Sequence, residues 1–164
     1  MSVENPNVSK WEHSVLATGM GAEELAAVEG IVVRERYKAG TTVFQLGDDA
    51  HEIMVIEAGS VALTLPLLLR QNTRELTIEQ KHPGAVIGWS ALVSPYKYVM
   101  SVRTVSDVVL ARMNREALEG LFKQNQRLHL NILRNLNGVI ANRVILFEAL
   151  LIRELQRWAV DQLS

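Results

Sequence analysis

The stretch Tyr37-Lys38-Ala39-Gly40-Thr41-Thr42-Val43-Phe44-Gln45-Leu46-Gly47-Asp48, continued by Val55-Ile56-Glu57-Ala58-Gly59-Ser60-Val61, decides the fold. Short β-branched and aromatic runs end at Gly40, Gly47 and Gly59, where tight corners between strands call for a positive φ that a Cβ opposes. The same rhythm extends on both sides. Ile31-Val32-Val33 precedes it, and Ile53 to Ile56, Val61 to Leu65, Leu76-Thr77-Ile78, Val99 to Val105 and Val108-Val109-Leu110 follow, punctuated by Gln71-Asn72-Thr73, Pro83-Gly84 and Ser106-Asp107. Regular alternation of strand and turn predicts a mainly β fold with added α, an antiparallel β-roll of the jelly-roll-like, double-stranded β-helix kind.

Gln71-Asn72-Thr73 is expected to top a hairpin with arms Val61 to Leu69 and Glu75 to Lys81. Pro66 must then face an edge or a bulge, because it has no N–H to give a ladder. Gly21 to Val28 reads as a short helix before the first strand. The expected organisation is an N-terminal tail over 1–20, polar from Met1 to Lys10, the β-roll over 21–125 and a long helix over 126–164.

Beyond Asn114, a natural N-cap, the period changes from two to between three and four. Arg115 to about Lys123 makes one short helix. From Gln126 to Gln162 there is one Gly and no Pro, and Leu133, Leu136, Ile140, Val144, Phe147, Leu151, Leu155 and Trp158 form a stripe. A striped helix of this length outruns the roll beside it, so the stripe reads as a homodimer seam between two copies. The alternative is a helix broken near Gly138 that folds back on its own roll.

This order of glycines, roll and terminal helix resembles the cyclic-nucleotide-binding domain of the catabolite-activator (CRP/FNR) type of bacterial regulators, over about residues 25 to 150. Pro83-Gly84-Ala85-Val86-Ile87-Gly88-Trp89-Ser90-Ala91-Leu92 is similar to the approach to that family's phosphate-binding cassette. The resemblance implies a non-enzymatic sensory domain, with a small-molecule ligand held at Gly88, Trp89, Ser90, Ala91, Leu92, Tyr98 and Val99. Gly-Trp-Ser-Ala-Leu-Val followed by Pro-Tyr-Lys-Tyr resembles a variant cassette of single-domain members of the superfamily.

The chemistry of that cassette departs from the family pattern. Members that bind cyclic AMP or cyclic GMP follow the cassette Gly with a Glu that accepts from the ribose hydroxyl; here the residue is Trp89. Their phosphate-binding Arg falls, counted back from the turn Asp107, on Tyr98, with Val99 beside it. Arg103-Thr104 lies too close to Asp107 to be that pair, and Lys97 points to the opposite face of the strand. Hydrogen bonds to charged groups contribute about 1.5–3 kcal/mol each, so cyclic-nucleotide affinity is expected to be weak or absent. Backbone N–H groups of Ser90, Ala91 and Leu92, with Pro95 and Tyr96 nearby, offer a neutral substitute for the anion site. Either the site is reshaped for another ligand, or Trp89 and Tyr98 fill it as core and the roll acts as a protein-interaction module.

Composition narrows the remaining classes. The 164 residues are 48% apolar and 21% charged, with 17 Lys and Arg against 18 Asp and Glu, for a net charge of -1. No basic excess favours nucleic acid, and from Arg112 onward eight basic and five acidic residues leave only +3 along the helix. No DNA-binding domain is expected within these residues; in a longer regulator that function would lie elsewhere. With no Cys, thiolate chemistry is excluded and the cytoplasm is the expected compartment. His13, His51, His82 and His129 show no metal-ligand spacing, so neither a metal nor a haem is expected, and the residues call for no cofactor. The longest uninterrupted apolar run falls short of a membrane span, and no membrane partner is expected.

Overall fold

The computed structural model describes residues 9–69 and 72–163. Among them, eight strands form two four-stranded antiparallel sheets. The first sheet is ordered β1 (Val33–Tyr37), β8 (Val108–Asn114), β3 (Glu52–Ala58), β6 (Val86–Ile87); the second is β2 (Thr42–Phe44), β7 (Ser101–Thr104), β4 (Val61–Leu69), β5 (Asn72–Lys81). Helix α1 (Ala22–Glu29) precedes the roll, and α2 (Arg115–Gln124) and α3 (Gln126–Leu163) follow it. This is the expected β-roll with its flanking helices.

The first sheet is buried on both faces, which is why Ile53-Met54-Val55-Ile56 reads as a continuous apolar run. Ile53 and Val55 face the helices, joined by Ala111 and Met113 of β8 and by Leu118, Phe122, Leu128, Ile132 and Leu136. Met54 and Ile56 face the interior of the roll with Phe44, Val61, Leu63, Ile87, Val102 and Leu110. Each large side chain so buried contributes about 1.5–3 kcal/mol. At Gly59, φ is 78° and a Cβ would strike the Asp107 carbonyl oxygen, so the corner after β3 needs glycine.

Two expectations about the N-terminal part are corrected. Residues 11–17, expected within a tail, form two 3-10 turns, and Trp11 is 0% exposed in the helical cluster. The Trp11 backbone N–H donates to Glu57 Oε1 at 3.1 Å and its indole N–H to Glu29 Oε2 at 2.6 Å. Asn135 of α3 donates to the Leu16 and Thr18 carbonyls at 2.9 and 2.8 Å, closing the segment from the other side. The first strand begins at Val33 rather than Ile31 and runs through Arg34-Glu35-Arg36, whose charges mask it in the sequence. An edge strand tolerates them, because one flank remains in water. Met1 to Val8 of the tail lie outside the described residues.

The long hairpin has the expected arms, with Asn72 and Thr73 already inside β5; Gln71 lies outside the described residues. β7 pairs only Val61 to Thr64 of β4, so Pro66 sits where that flank of β4 is open, past a bulge at Leu63 and Thr64. The strand expected from Val99 shortens to Ser101–Thr104.

Asn114 Oδ1 caps α2 by accepting from the N–H groups of Glu116 and Ala117 at 2.9 and 3.3 Å, as its position implied. Asn125 Oδ1 accepts from Leu128 N at 3.0 Å at the start of α3. The helix then runs 38 residues without a break at Gly138, roughly 57 Å at about 1.5 Å per residue. Leu128, Ile132 and Leu136 are spent on the chain's own core, with Ile140 at its edge, whereas Val144, Phe147, Leu151, Leu155 and Trp158 are exposed. The chain's own core therefore takes up only the first part of the stripe. An 18-residue window of α3 averages a hydropathy of 1.4, so by length and composition this helix is long and apolar enough to cross a membrane. Its uninterrupted apolar runs are nonetheless short, because isolated polar residues break them without lowering the mean much.

Candidate functional site

β6 ends at Gly88, whose φ is 71° and whose absent Cβ would lie 2.7 Å from the Glu52 carbonyl oxygen. Only glycine turns the chain there without strain. The single 3-10 turn Trp89–Leu92 follows, as expected for the cassette. Ser90 and Ala91 are buried, but the Ala91 N–H donates to the Gly88 carbonyl at 3.0 Å and is not free for a ligand. Trp89 and Leu92 are half-buried and pack against the helical cluster, with Trp89 at the rim of the roll.

The chain from Tyr96 to Tyr98 is bound to the turn at Gly47 to Ala50. Ala50 N donates to Tyr96 O at 2.8 Å, Tyr98 N to Asp48 O at 3.0 Å and Gly47 N to Tyr98 O at 2.8 Å. Lys97 pairs with Asp49 at 2.5 Å on the outside, where the opposite-face expectation put it, and holds the Asp49 carboxyl below the usual range. This register sends Tyr98 inward and leaves Val99 exposed at the mouth. Tyr96 and Pro95 do not line the interior; the Arg115 guanidinium lies 4.3 Å from the Tyr96 ring centroid.

Tyr98 is 6% exposed and stacks on Phe44, with ring centroids 3.8 Å apart and planes 14° apart. Its hydroxyl donates to the Glu52 carbonyl at 3.1 Å, and burial pushes the phenol up from its ordinary value. What remains of the roll's interior is a cavity of about 20 Å³ among Phe44, Leu63, Ile87, Tyr98, Met100 and Arg143. That volume holds about one water molecule. Of the residues expected to form a pocket, Gly88, Trp89, Ser90, Tyr98 and Val99 do meet at this cavity, while Ala91 packs in the roll's interior cluster without lining it and Leu92 packs against the helical cluster.

Arg143 was absent from the expected site. It reaches the cavity from α3, where its Nη1 lies 3.1 Å from Met100 Sδ and 3.6 Å from Glu79 Oε2. Its signal in the sequence was an arginine one heptad after Leu136, on the face of an otherwise apolar stripe. The histidines stay apart: His129 stacks on Phe122 at 4.4 Å, and among the described residues no group of three or more His, Cys, Asp or Glu is placed to hold a metal.

The model of the family described as "Cyclic nucleotide-binding domain" matches residues 34–125, from β1 through the cassette to the cap of α3. This chain belongs to that family. Among solved structures, this cyclic nucleotide-binding domain is similar to the Thermus thermophilus catabolite activator protein, with a TM-score of 0.71 and 25% identity over 88% of this chain and 63% of that one. A cyclic nucleotide-binding domain from Methylobacillus flagellatus KT shares the fold at a TM-score of 0.75 and 17% identity, covering 87% and 83% of the two chains. The regulator CLP of Xanthomonas campestris, described as c-di-GMP responsive, does so at 0.68 and 23%, covering 85% and 65%. Glutaminase 1 of Bradyrhizobium diazoefficiens is 28% identical over 155 residues; that match takes in 90% of this chain but spans only 23% of the glutaminase.

Proposed function

We propose that this cyclic nucleotide-binding domain is a non-catalytic regulatory module that forms a homodimer through α3 and binds cyclic AMP and cyclic GMP weakly or not at all. The observation that carries the reading is the Tyr98 ring on Phe44, which leaves about 20 Å³ in the roll. Trp89 stands where a ribose-binding carboxylate is needed, and Tyr98 where a guanidinium is needed. A ligand other than cyclic AMP is within the fold's range, since the similar regulator from Xanthomonas is described as responsive to c-di-GMP. In the glutaminase relative a similar stretch makes up 23% of the chain, the proportion of a module carried beside a larger domain.

The dimer reading is supported by the exposed half of the α3 stripe and by a groove of about 560 Å³ between Leu76 to Ile78 of β5 and Phe147 to Leu151. Contiguous apolar surface of this kind in a soluble domain marks an interaction site. A lipid bilayer is a poorer match. Arg143 in mid-helix lies against the roll beside Met100 and Glu79, and the first turns of α3 are buried in the chain's own core.

Isothermal titration with cyclic AMP and cyclic GMP tests the ligand clause; saturable micromolar binding of either overturns it. Sedimentation at micromolar concentration tests the dimer clause, which a strictly monomeric species overturns. A second reading, favoured by the same filled cavity, is an interaction module that binds a partner protein and no small molecule.

A further inference from the structure

α3 brings to the roll the charge that the cassette lacks. The Arg143 side chain is 13% exposed, yet its acceptors are poor. A guanidinium carries five N–H donors. Among the described residues, Nη1 faces the Met100 thioether, a weak acceptor, and Glu79 Oε2 at 3.6 Å, beyond hydrogen-bond length. Glu79 is itself engaged by Lys81, whose Nζ lies 2.5 Å from its other carboxylate oxygen. Burial pushes the guanidinium down from its ordinary value, the mark of a cation whose lost hydration is incompletely replaced.

The rest of the cavity is mostly apolar, with Ser90 at one side. Phe44 offers an aromatic face, now covered by Tyr98, and Leu63, Ile87 and Met100 close the sides. The Tyr98 backbone is bonded to the turn below it, and its side chain, held by one hydrogen bond to the Glu52 carbonyl and by the ring stack, is what covers the Phe44 face.

Resting on the reading above that the roll has lost its cyclic-nucleotide chemistry, we infer that Arg143 is the anion-binding residue of this roll, for a small ligand with one carboxylate or phosphate group and a flat apolar body. The anion takes the place of Glu79 on the guanidinium, leaving Glu79 to Lys81, and the body takes the place of the Tyr98 ring on Phe44. Because the charge is held by α3 itself, ligand binding acts directly on the helix that carries the exposed stripe.

The test is isothermal titration of the full chain as wild type, Tyr98→Ala and Tyr98→Ala/Arg143→Gln, with phenyl phosphate, phenylacetate and benzyl alcohol. Tyr98→Leu serves in both backgrounds if the alanine variant loses its cooperative melting transition, and Arg143→Gln against wild type is measured in either case. The expected result is that Tyr98→Ala binds one or both anions at least tenfold more tightly than the neutral alcohol, and that adding Arg143→Gln abolishes this preference. Wild type binds the same anions more weakly, by the cost of moving the ring. Which anion is preferred tells a phosphate ligand from a carboxylate one. Failure of every Tyr98 variant to bind either anion, or an anion preference that survives Arg143→Gln, overturns the inference. Cyclic AMP binding by the wild type bears on the preceding reading alone, since the Arg143 comparison is made with probes that lack a nucleoside.

Discussion

Tyr98 and Phe44 lie nearly parallel, 3.8 Å between centroids, in the interior cluster of the roll. Overlap this close differs from the offset or edge-to-face arrangement that aromatic pairs prefer, so the pair contributes chiefly through burial of its two rings. The two rings line the small cavity that Arg143 reaches from α3. Tyr98→Ala is expected to lower stability by about 3 kcal/mol, the range for deleting a buried aromatic, and to enlarge the cavity. Thermal melting reads the first effect. If the variant is as stable as wild type, the ring is not part of the core.

Cyclic AMP should not bind the wild type at micromolar concentration, because two charge-assisted contacts are absent. Each 1.4 kcal/mol is about tenfold, so losing only two such bonds carries a micromolar site to millimolar or weaker. Titration up to millimolar ligand checks this.

The exposed half of α3 is predicted to hold the dimer. Leu151→Asp with Leu155→Asp places four charges in a symmetric seam and should weaken association by a hundredfold or more, with the melting of the roll little changed. Ile140 is a poor probe, because it packs at the edge of the chain's own core. Sedimentation velocity across concentrations decides; unchanged assembly of the double variant moves the interface elsewhere.

Glu57 is 6% exposed and accepts from Trp11 N at 3.1 Å and from Arg34 Nε at 2.8 Å, so it fastens the N-terminal segment to the roll. Glu57→Ala leaves the buried Trp11 N–H without its acceptor and Arg34 with Glu29 in place of two carboxylates, and should cost about 2 kcal/mol, below the range for a fully buried pair because Arg34 keeps Glu29 and solvent. Trp11 should become partly exposed, seen as a red shift of tryptophan emission, which Glu57→Gln reduces.

Acid should loosen the same regions. The Glu29 carboxyl is held below its ordinary value by the Arg34 guanidinium, Asp49 by Lys97 and Asp107 by the Lys38 ammonium. A carboxyl whose folded pKa lies below its unfolded value contributes stability that is complete above the unfolded value, about 4, and is lost as pH falls through the folded one. The melting temperature should therefore be insensitive to these groups from pH 7 to about 5 and decline below about 4. All three pairs are solvent-accessible, so salt should shrink the effect.

Two glycines should respond in opposite directions to alanine. At Gly88 the positive φ and the nearby Glu52 carbonyl oppose a Cβ, and Gly88→Ala should cost about 1–3 kcal/mol. At Gly138, inside α3, nothing lies within 4 Å of the added carbon, and Gly138→Ala should stabilise by up to about 1 kcal/mol. Melting of the two single variants gives the comparison.

What the sequence by itself determined rests on local physics. Glycine corners at Gly40, Gly47 and Gly59, turn residues between short strands, the Asn114 cap and the three-and-four period of α3 are properties of neighbouring residues, and chirality and helix geometry make them legible. Trp89 and Tyr98 as candidates for the site came from the resemblance to the family's cassette, not from any local pattern. β1 was hidden, since Arg34-Glu35-Arg36 is strand by virtue of its place at a sheet edge and not by composition. Tertiary structure alone decided that Trp11, 46 residues from Glu57, belongs to the core. It also decided that Tyr98 rather than Trp89 fills the roll, and that Arg143 comes to lie against Met100, 43 residues away. Which side chain occupies a shared space depends on how separate elements meet, and no pattern within one element carries that information.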